Sequence, residues 1–315
     1  GIEFDAFYRL RDNVLGTRSS SLPSTVGVSM PQENLNKIDN RGFELVIRHN
    51  NAIGDFHYSI SPNISWSRSK YVEYDEQEYT DPDEDRLYRK EGKWTDIVYG
   101  YKTDGMFQSV EEIQNSEIDY DLKGNATLKP GMVKYVDVNG DKKIDWRDQV
   151  KLGTGGIPKI MYGLNLSCDY KNFDLSMLFQ GAAQFNIMFT DHMQHLTINS
   201  VWNSYKYLYD ERWTPDNPNA LFPGTTNGIN EYNTKTSDIW YKSAAYCRLK
   251  NITLGYTLPK NMVKKLGINK ARFYISGYNL LTFDKLSDYQ QDPEAGASLE
   301  YPMYKSVSFG FNIEL

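Results

Sequence analysis

Alternation of apolar and polar residues with a period of two is the feature that most constrains the fold of this chain. The segment PKIMYGLNLSCDY, residues 158–170, shows it clearly. Successive side chains of a β-strand point to opposite faces of its sheet, so this pattern predicts a strand with one apolar and one polar face. The apolar face carries Ile160, Tyr162, Leu164, Leu166, Cys168 and Tyr170, and the polar face Gly163, Asn165, Ser167 and Asp169.

The same alternation recurs along the chain. FDLSMLFQG, residues 173–181, follows the short turn Lys171-Asn172 and predicts a hairpin with the segment before it. Residues 307–315 alternate in the same way. Together these patterns predict eight strands, near residues 2–10, 43–49, 56–68, 158–170, 173–181, 246–258, 271–281 and 303–315.

The links between these predicted strands alternate between long and short. The long links are 11–42, 69–157, 182–245 and 282–302, and the short ones are 50–55, 171–172 and 259–270. Outer-membrane barrels have short periplasmic turns and long external loops, whereas a soluble sandwich has no reason to sort its loops by side. A soluble β-sandwich fits the periodicity equally well. Link lengths, a polar face rich in Ser, Asn, Gly and Asp, and Tyr at strand ends favour a barrel.

Composition excludes some classes of function. The net charge of −6 and the pI near 5.4 give no basic surface for a nucleic acid, so none is expected as a partner. Two cysteines, Cys168 and Cys247, are too few for a disulfide framework and match no zinc motif. No apolar stretch has the length of a transmembrane helix, and the mean hydropathy is −0.61.

Nine short sequence words are more specific than the periodicity of the strands. They are RGFELVI, GYKTDGMFQS, VKYVDVNGDKKIDWRD, LFQGAAQFN, RWTPDNPNA, AAYCRLKNITLGYTLP, ARFYISGYNLLTF, DPE and SVSFGFNIEL. In this order they resemble the C-terminal part of SusC/RagA-type TonB-dependent transporters. The resemblance spans nearly the whole chain and implies an outer-membrane barrel of about 22 strands around a plug. Residues 1–315 would form its C-terminal portion, all-β, with about eight antiparallel strands and long extracellular loops.

The resemblance also implies a function and partners. Such transporters import oligosaccharides or peptides together with a SusD-like surface lipoprotein, using energy that TonB passes from the inner membrane. In the family the plug and the TonB-contacting segment are N-terminal, and nothing in this sequence resembles them. The first residues, GIEFDAFYRL, have the pattern of a strand interior, so we expect a piece of a longer protein. The remaining barrel, the plug, TonB and outer-membrane lipid are the expected partners.

The acidic segment DVNGDKKIDWRD, residues 137–148, matches the twelve-residue calcium loop. It lies within the long link 69–157, which is expected to be external. Lys142 stands where the loop pattern has a glycine with positive φ, which adds strain and a positive charge. The alternative is a solvated acidic loop without metal. The expected ligands are Asp137, Asn139, Asp141, the carbonyl of Lys143, Asp145 through water, and Asp148.

An aromatic cluster in the long link 182–245 is a candidate ligand surface. It consists of Trp202, Tyr205, Tyr207, Tyr209 and Trp213. Such rings can stack on sugars, but they can equally pack their own loop. No catalytic set stands out, so no enzyme is predicted. Two further hypotheses remain open at this stage: a soluble, calcium-stabilised β-rich carbohydrate-binding module, and a secreted glycosidase domain.

Overall fold

The computed structural model describes residues 1–18, 31–190, 193–194, 205–225, 230–264, 267–296 and 303–314. Within these ranges no helix has both the length and the apolar character needed to span a membrane. The strands are β1 (Ile2–Thr17), β2 (Gln32–Ile47), β3 (His49–Ile53), β4 (Phe56–Glu73), β5 (Ile97–Gly100), β6 (Thr103–Met106), β7 (Val133–Tyr135), β8 (Val150–Thr154), β9 (Ile160–Tyr170), β10 (Phe173–Ala183), β11 (Asn186–Met188), β12 (Tyr241–Ser243), β13 (Tyr246–Thr257), β14 (Lys270–Asp284) and β15 (Ser306–Glu314).

One antiparallel sheet contains the eight long strands in the order β1-β2-β4-β9-β10-β13-β14-β15. Strand β3 continues β2 past Arg48 and pairs with β4. Because each strand pairs with the next long strand along the chain, the links alternate between the two ends of the sheet. The short links are 54–55, 171–172 and 258–269, and the long ones are 18–31, 74–159, 184–245 and 285–305.

All eight predicted strands are present, and several extend farther toward the long links than predicted. Strand β1 continues to Thr17, β2 already begins at Gln32, and β4 continues to Glu73. Their outer segments, such as NLNKIDN in β2, have no apolar alternation because polar side chains occupy both faces there. Backbone pairing with neighbouring strands holds these segments in the sheet, which period-two reasoning does not detect.

The register aligns the apolar side chains into rows across one face of the sheet. One such row joins Ile60, Leu166, Met177 and Ile252. Along β9, these rows run from Ile160 to Tyr170, an 11-residue stretch that matches the length of a transmembrane strand. Rings cluster at the end of this face near the short links: Phe56, Tyr170, Phe173, Tyr256 and Phe273.

The opposite face is polar and internally paired. Arg272 donates from Nε to Asp174 across β10, β13 and β14 at 2.9 Å. The hydroxyls of Thr253 and Ser276 lie 2.8 Å apart on the same face. A polar face of short side chains suits a water-filled lumen.

Two glycines of the sheet are needed because tyrosine rings cover them. A Cβ at Gly181 would overlap the ring of Tyr162, and one at Gly310 would overlap the ring of Tyr274. The Tyr162 ring lies over Gly181, and its hydroxyl donates to the carbonyl of Tyr246 on the next strand at 2.9 Å. Aromatic rings over strand glycines are a known way to fix register in a curved sheet.

The remaining strands and three of the α-helices lie in the long links, and the fourth α-helix lies in a short link. Strands β5 and β8, β6 and β7, and β11 and β12 form three two-stranded sheets. The α-helices are α1 (Pro82–Tyr88), α2 (Val110–Gln114), α3 (Lys206–Asp210) and α4 (Lys260–Val263), the last of these in a short link. Asp81 caps the N-terminus of α1, where its side chain accepts from the amide of Asp83, and Ser109 caps α2, where its hydroxyl accepts from the amide of Glu112.

A single hydrophobic core joins three of the long links. Its fully buried members include Phe107, Val133 and Tyr135 from 74–159, Phe189 and Trp240 from 184–245, and Leu286 from 285–305. The apolar face of the main sheet, by contrast, stays open: Phe309 is 81% exposed and Phe311 65%. The soluble-sandwich alternative required a second sheet on this face, and the described residues place none there.

Candidate functional site

Three of the long links form one compact unit at one end of the main sheet, and this loop unit contains every predicted site residue that the structure describes. It comprises the described parts of 74–159, 184–245 and 285–305. Hydrogen bonds connect the links to one another: the amide of Val133 donates to Asn233 Oδ1 at 3.0 Å, and Tyr135 Oη donates to the carbonyl of Tyr232 at 2.6 Å. The predicted loop 137–148 begins two residues after β7, whose Val133 and Tyr135 belong to the core of this unit.

The first half of the acidic loop is a tight turn organised by its own side chains. Asp137 accepts from the amides of Gly140 at 2.7 Å and Lys142 at 2.8 Å. Asn139 Oδ1 accepts from the amide of Asp141 at 2.9 Å, and Asp141 accepts from Lys143 at 2.9 Å. The first, third and fifth positions of the predicted loop therefore face the same turn of backbone.

Lys142 adopts the conformation that the loop pattern requires of its sixth residue. Its φ is 63°, and that of Gly140 is 79°. Only glycine adopts positive φ without cost, so Lys142 is held there by its neighbours. Its ammonium points to Glu117, with Nζ 2.7 Å from Oε2, so the positive charge is drawn to another carboxylate.

The eighth residue of the loop, Ile144, fixes the loop to the core. It is 1% exposed, and its amide donates to the carbonyl of Asp119 at 3.1 Å. The amide of Asp119 in turn donates to the carbonyl of Lys142 at 2.9 Å. The acidic loop is thus connected to the segment around Asp119 by a short β-bridge.

Asp148, the twelfth residue, is fully buried and accepts two backbone amides. Val138 donates to its Oδ1 and Asp145 to its Oδ2, both at 2.9 Å. Burial raises the pKa of Asp148, while these amide bonds act in the opposite direction. Asp145 forms the other half of a capping box, since its side chain accepts from the amide of Arg147 at 2.7 Å.

Carboxylates alone do not form a metal site in this loop. Throughout the described residues, no group of three or more His, Cys, Asp or Glu side chains is placed so that it could hold an ion. The predicted calcium set also uses the amide oxygen of Asn139 and the carbonyl of Lys143, which such a grouping does not include. The calcium site therefore stays a prediction.

The predicted aromatic cluster does not form one surface. Trp202 lies outside the described residues. Trp213 is only 9% exposed, packs against the core, and donates from Nε1 to Gln108 at 2.9 Å. Tyr205 also packs against the core, whereas Tyr209 is 58% exposed and its ring lies 3.6 Å from the Arg212 guanidinium carbon. For Trp213 and Tyr205 the structure favours loop packing, and among the described residues of the cluster Tyr209 is the exposed one, with Arg212 over its ring.

A charged network at the base of the loop unit is absent from the sequence-based predictions. Arg248 is 2% exposed and donates to Glu294 at 2.6 Å and to Asp292 at 2.8 and 2.9 Å. Lys250 and the hydroxyl of Tyr246 also reach Glu294, each at 2.8 Å. The network attaches link 285–305 to β13. Its residues stand in two of the quoted words, AAYCRLKNITLGYTLP and DPE, but their pairing is visible only in three dimensions.

These features define a class of protein. An antiparallel sheet has an open apolar face about ten residues deep and a polar opposite face, with all long links at one end. Strands β1 and β15 each pair on one side only among the described residues. Backbone groups in lipid must be paired, so such a sheet belongs in a closed membrane barrel that includes further strands.

Comparisons with known proteins agree with this class. The chain is 28% identical to TonB-dependent receptor P3 of Formosa agariphila, covering 93% of this chain and 29% of that receptor. It is 24% identical to TonB-dependent receptor SusC of Bacteroides thetaiotaomicron, covering 98% of this chain and 30% of SusC. The structure of the RagAB peptide transporter aligns over 99% of this chain and 33% of its own, with a TM-score of 0.66 and 20% identity. No protein-family model matches the chain.

The predicted resemblance to SusC/RagA-type TonB-dependent transporters is therefore confirmed, as are the outer-membrane barrel fold and the outer-membrane location. The chain spans about a third of the length of the relatives that it matches.

Proposed function

We propose that this chain is the C-terminal barrel portion of a TonB-dependent outer-membrane importer of nutrients. The observation that carries the proposal is the apolar face of the main sheet, which is exposed to the surroundings over the depth of a bilayer. The relatives support it, since they are named as TonB-dependent receptors and a peptide transporter. TonB would act through the N-terminal region of the complete protein. None of these relatives is named as an enzyme, and the absence of catalysis stays a prediction.

We infer that the importer works with a SusD-like surface lipoprotein. The loop unit supports this inference because it presents a folded surface, braced by its own core, at the end of the barrel where a lid would dock. The RagAB transporter takes peptides by its name, so oligosaccharides and peptides are both candidate substrate classes. Among the predicted ligand residues that the structure describes, Tyr209 is the exposed one, and a sugar could stack on the side of its ring away from Arg212.

Uptake by cells tests the import proposal. Cells carrying the complete gene, a deletion, or the gene in a background without TonB would be supplied with fluorescent oligosaccharides and, separately, fluorescent peptides. We expect one class to enter only when both the gene and TonB are present. Affinity purification from detergent should recover a surface lipoprotein at equimolar amount. If the deletion strain took up both classes as well as the strain with the complete gene does, the import proposal would be refuted.

We further propose that loop 137–148 binds calcium in a structural role. Its donor set is made of hard oxygens, which is what calcium prefers, and the first six residues already form the required turn. Asp137 and Asp148 use their oxygens for backbone amides, yet each carboxylate oxygen has a second lone pair. A bound cation would neutralise Asp137, Asp141 and Asp148 and would brace link 74–159 against the core through Ile144.

Calorimetric titration of the complete protein with calcium tests this site. We expect an affinity on the order of 0.1–1 mM. Because the turn already holds Lys142 at positive φ, Lys142→Gly relieves strain with and without calcium and should stabilise the loop by about 1 kcal/mol, measured by its thermal melting. Lys143→Ala is the matched control, because it removes an adjacent positive charge and leaves the strained residue in place. Asp141→Asn should weaken binding. A calcium signal that is unaffected by Asp141→Asn would mean that the ion binds elsewhere.

A further inference from the structure

A patch of basic residues lies on the outward face of β2 and β4 at the end near the long links. We propose that it binds the phosphate group of a phosphorylated glycolipid in the outer leaflet of the membrane. The inference rests on the proposed transporter, in which this face meets lipid and the long links are extracellular. The rim patch consists of Arg41, whose side chain is 40% exposed, the partly exposed Lys70, and the mostly buried Arg68 and Lys159, which are 13% and 8% exposed.

The register places this patch immediately above the lipid-facing rows. Ala6, Phe43, Trp66 and Ile160 form the last apolar row across β1, β2, β4 and β9. Two residues farther along the same strands, the next row is Tyr8, Arg41 and Arg68, and the one after it is Leu10, Asp39 and Lys70. Two residues along a strand cover about 7 Å. The outward face of β2 and β4 thus changes from apolar to charged over the distance that separates acyl chains from headgroups.

Aromatic rings mark the same level as the membrane interface. Trp94 forms an isolated bridge with Lys70, and its ring meets that of Trp66 edge-on at 6.3 Å. The guanidinium of Arg68 lies 4.6 Å from the centre of the Trp94 ring, and that of Arg41 lies 5.8 Å from it. Tryptophan and tyrosine concentrate at the headgroup level of membranes, and their faces hold cations in place.

The charges of the patch do not cancel. Asp39 pairs with Arg41, while Asp96 lies 2.9 Å from Arg68 Nε and 3.0 Å from Lys159 Nζ. Farther along, Lys37 pairs with Glu73 and adds no net charge. Four cations therefore face two carboxylates. Among the described residues Lys70 has no ion pair, so its ammonium remains for an external anion, whereas the unpaired Nη2 of Arg68 is buried.

Lipid binding to the complete protein, purified in a neutral detergent, tests the proposal. The probes are a disaccharide lipid bearing phosphate monoesters, the same lipid after enzymatic dephosphorylation, and inorganic phosphate, each measured by native mass spectrometry. We expect the unmodified protein to retain the phosphorylated lipid over the dephosphorylated one. Arg41→Gln combined with Lys70→Gln should weaken its binding by roughly 10- to 30-fold. The matched control, Lys171→Gln with Lys260→Gln, removes two charges at the opposite end of the sheet and should have no effect.

Two further measurements separate loss of lipid binding from misfolding and from loss of import. Resistance of the barrel to unfolding by detergent at room temperature shows that each variant is folded, and the uptake assay shows whether import survives. Equal retention of phosphorylated lipid by the folded rim-patch variant and the control would overturn the proposal while leaving the importer intact. Displacement of the lipid by millimolar inorganic phosphate would show that the site takes phosphate from any source, which also contradicts a lipid site.

Discussion

The main sheet and the loop unit of this molecule are stabilised in opposite ways. The largest fully buried apolar side chains, among them Trp240, Tyr135 and Phe107, all lie in the long links. The long sheet, in contrast, leaves Phe309 and Phe311 open and is held by backbone pairing. A chain of this kind has its protein core outside the membrane, and lipid takes the place of a core for the sheet. The two regions should therefore fail independently.

Removing a core side chain from the loop unit gives the largest expected effect. Trp240 is 1% exposed and donates from Nε1 to the carbonyl of Asn233 at 2.6 Å. Trp240→Ala should destabilise the loop unit by about 3–5 kcal/mol while the barrel remains assembled. Limited proteolysis of intact cells should then cut links 74–159 and 184–245, and the barrel should keep its detergent resistance. Loss of both together would contradict the independence of the two regions.

A charge placed on the lipid-facing side of the main sheet should impair the barrel and not the loop unit. The same charge on the polar face should have little effect. Leu166 lies in the middle of an outward row, and Ser167 follows it on the polar face. Leu166→Arg should cost about 2–4 kcal/mol near the middle of the bilayer and reduce the amount of barrel in outer membranes. Ser167→Arg is the matched control and should assemble normally. Similar yields of the two variants would refute the assignment of faces.

The sheet was largely predictable from the sequence, because lipid on one side and water on the other impose period two on each strand. Alternation alone assigns the residues from Ile160 to Tyr170 to their faces. It does not do so for the outer part of β2, since polar residues occupy both faces there. The turn of loop 137–148 was also predictable, because its spacing of Asp and Asn residues is local, and Lys142 takes the positive φ that its position predicts.

The loop core and its charge networks were not predictable in the same way. Trp213 and Tyr209 stand four residues apart in one aromatic cluster, yet one is buried and the other exposed. Arg248 pairs with Asp292 and Glu294 more than forty residues away. Contacts at such separations leave no periodic signal in a single sequence. The register between β2 and β4 that assembles the rim patch is likewise visible only once strand pairing is known.

Within the loop unit, a smaller effect is expected from a single carboxylate. Burial opposes the ionisation of Asp121, but the hydroxyl of Thr127 and the amides of Thr127, Lys123 and Asn125 lower its pKa to about 2. Asp121→Asn should therefore cost the loop unit about 1–2 kcal/mol near neutral pH. The Asp121 contribution is lost as pH falls from about 4 to about 2, so the variant and the unmodified protein should converge there. Thermal melting of the loops at several pH values measures this difference, and a constant gap at all pH values would contradict it.

Asp148 provides the smallest expected effect and has the opposite sign. Burial raises the pKa of Asp148, so its charged form is less favourable in the folded loop than in the unfolded chain. In calcium-free protein, its contribution should stabilise the loop unit as pH falls through the raised pKa. Calcium should remove this gain, since a bound cation favours the charged form and competes with the proton. Melting curves with calcium and with a chelator, for the unmodified protein and for Asp148→Asn, measure both trends. If the chelated protein showed the same pH dependence with and without the carboxyl group at position 148, the burial of Asp148 would not control the stability of this loop.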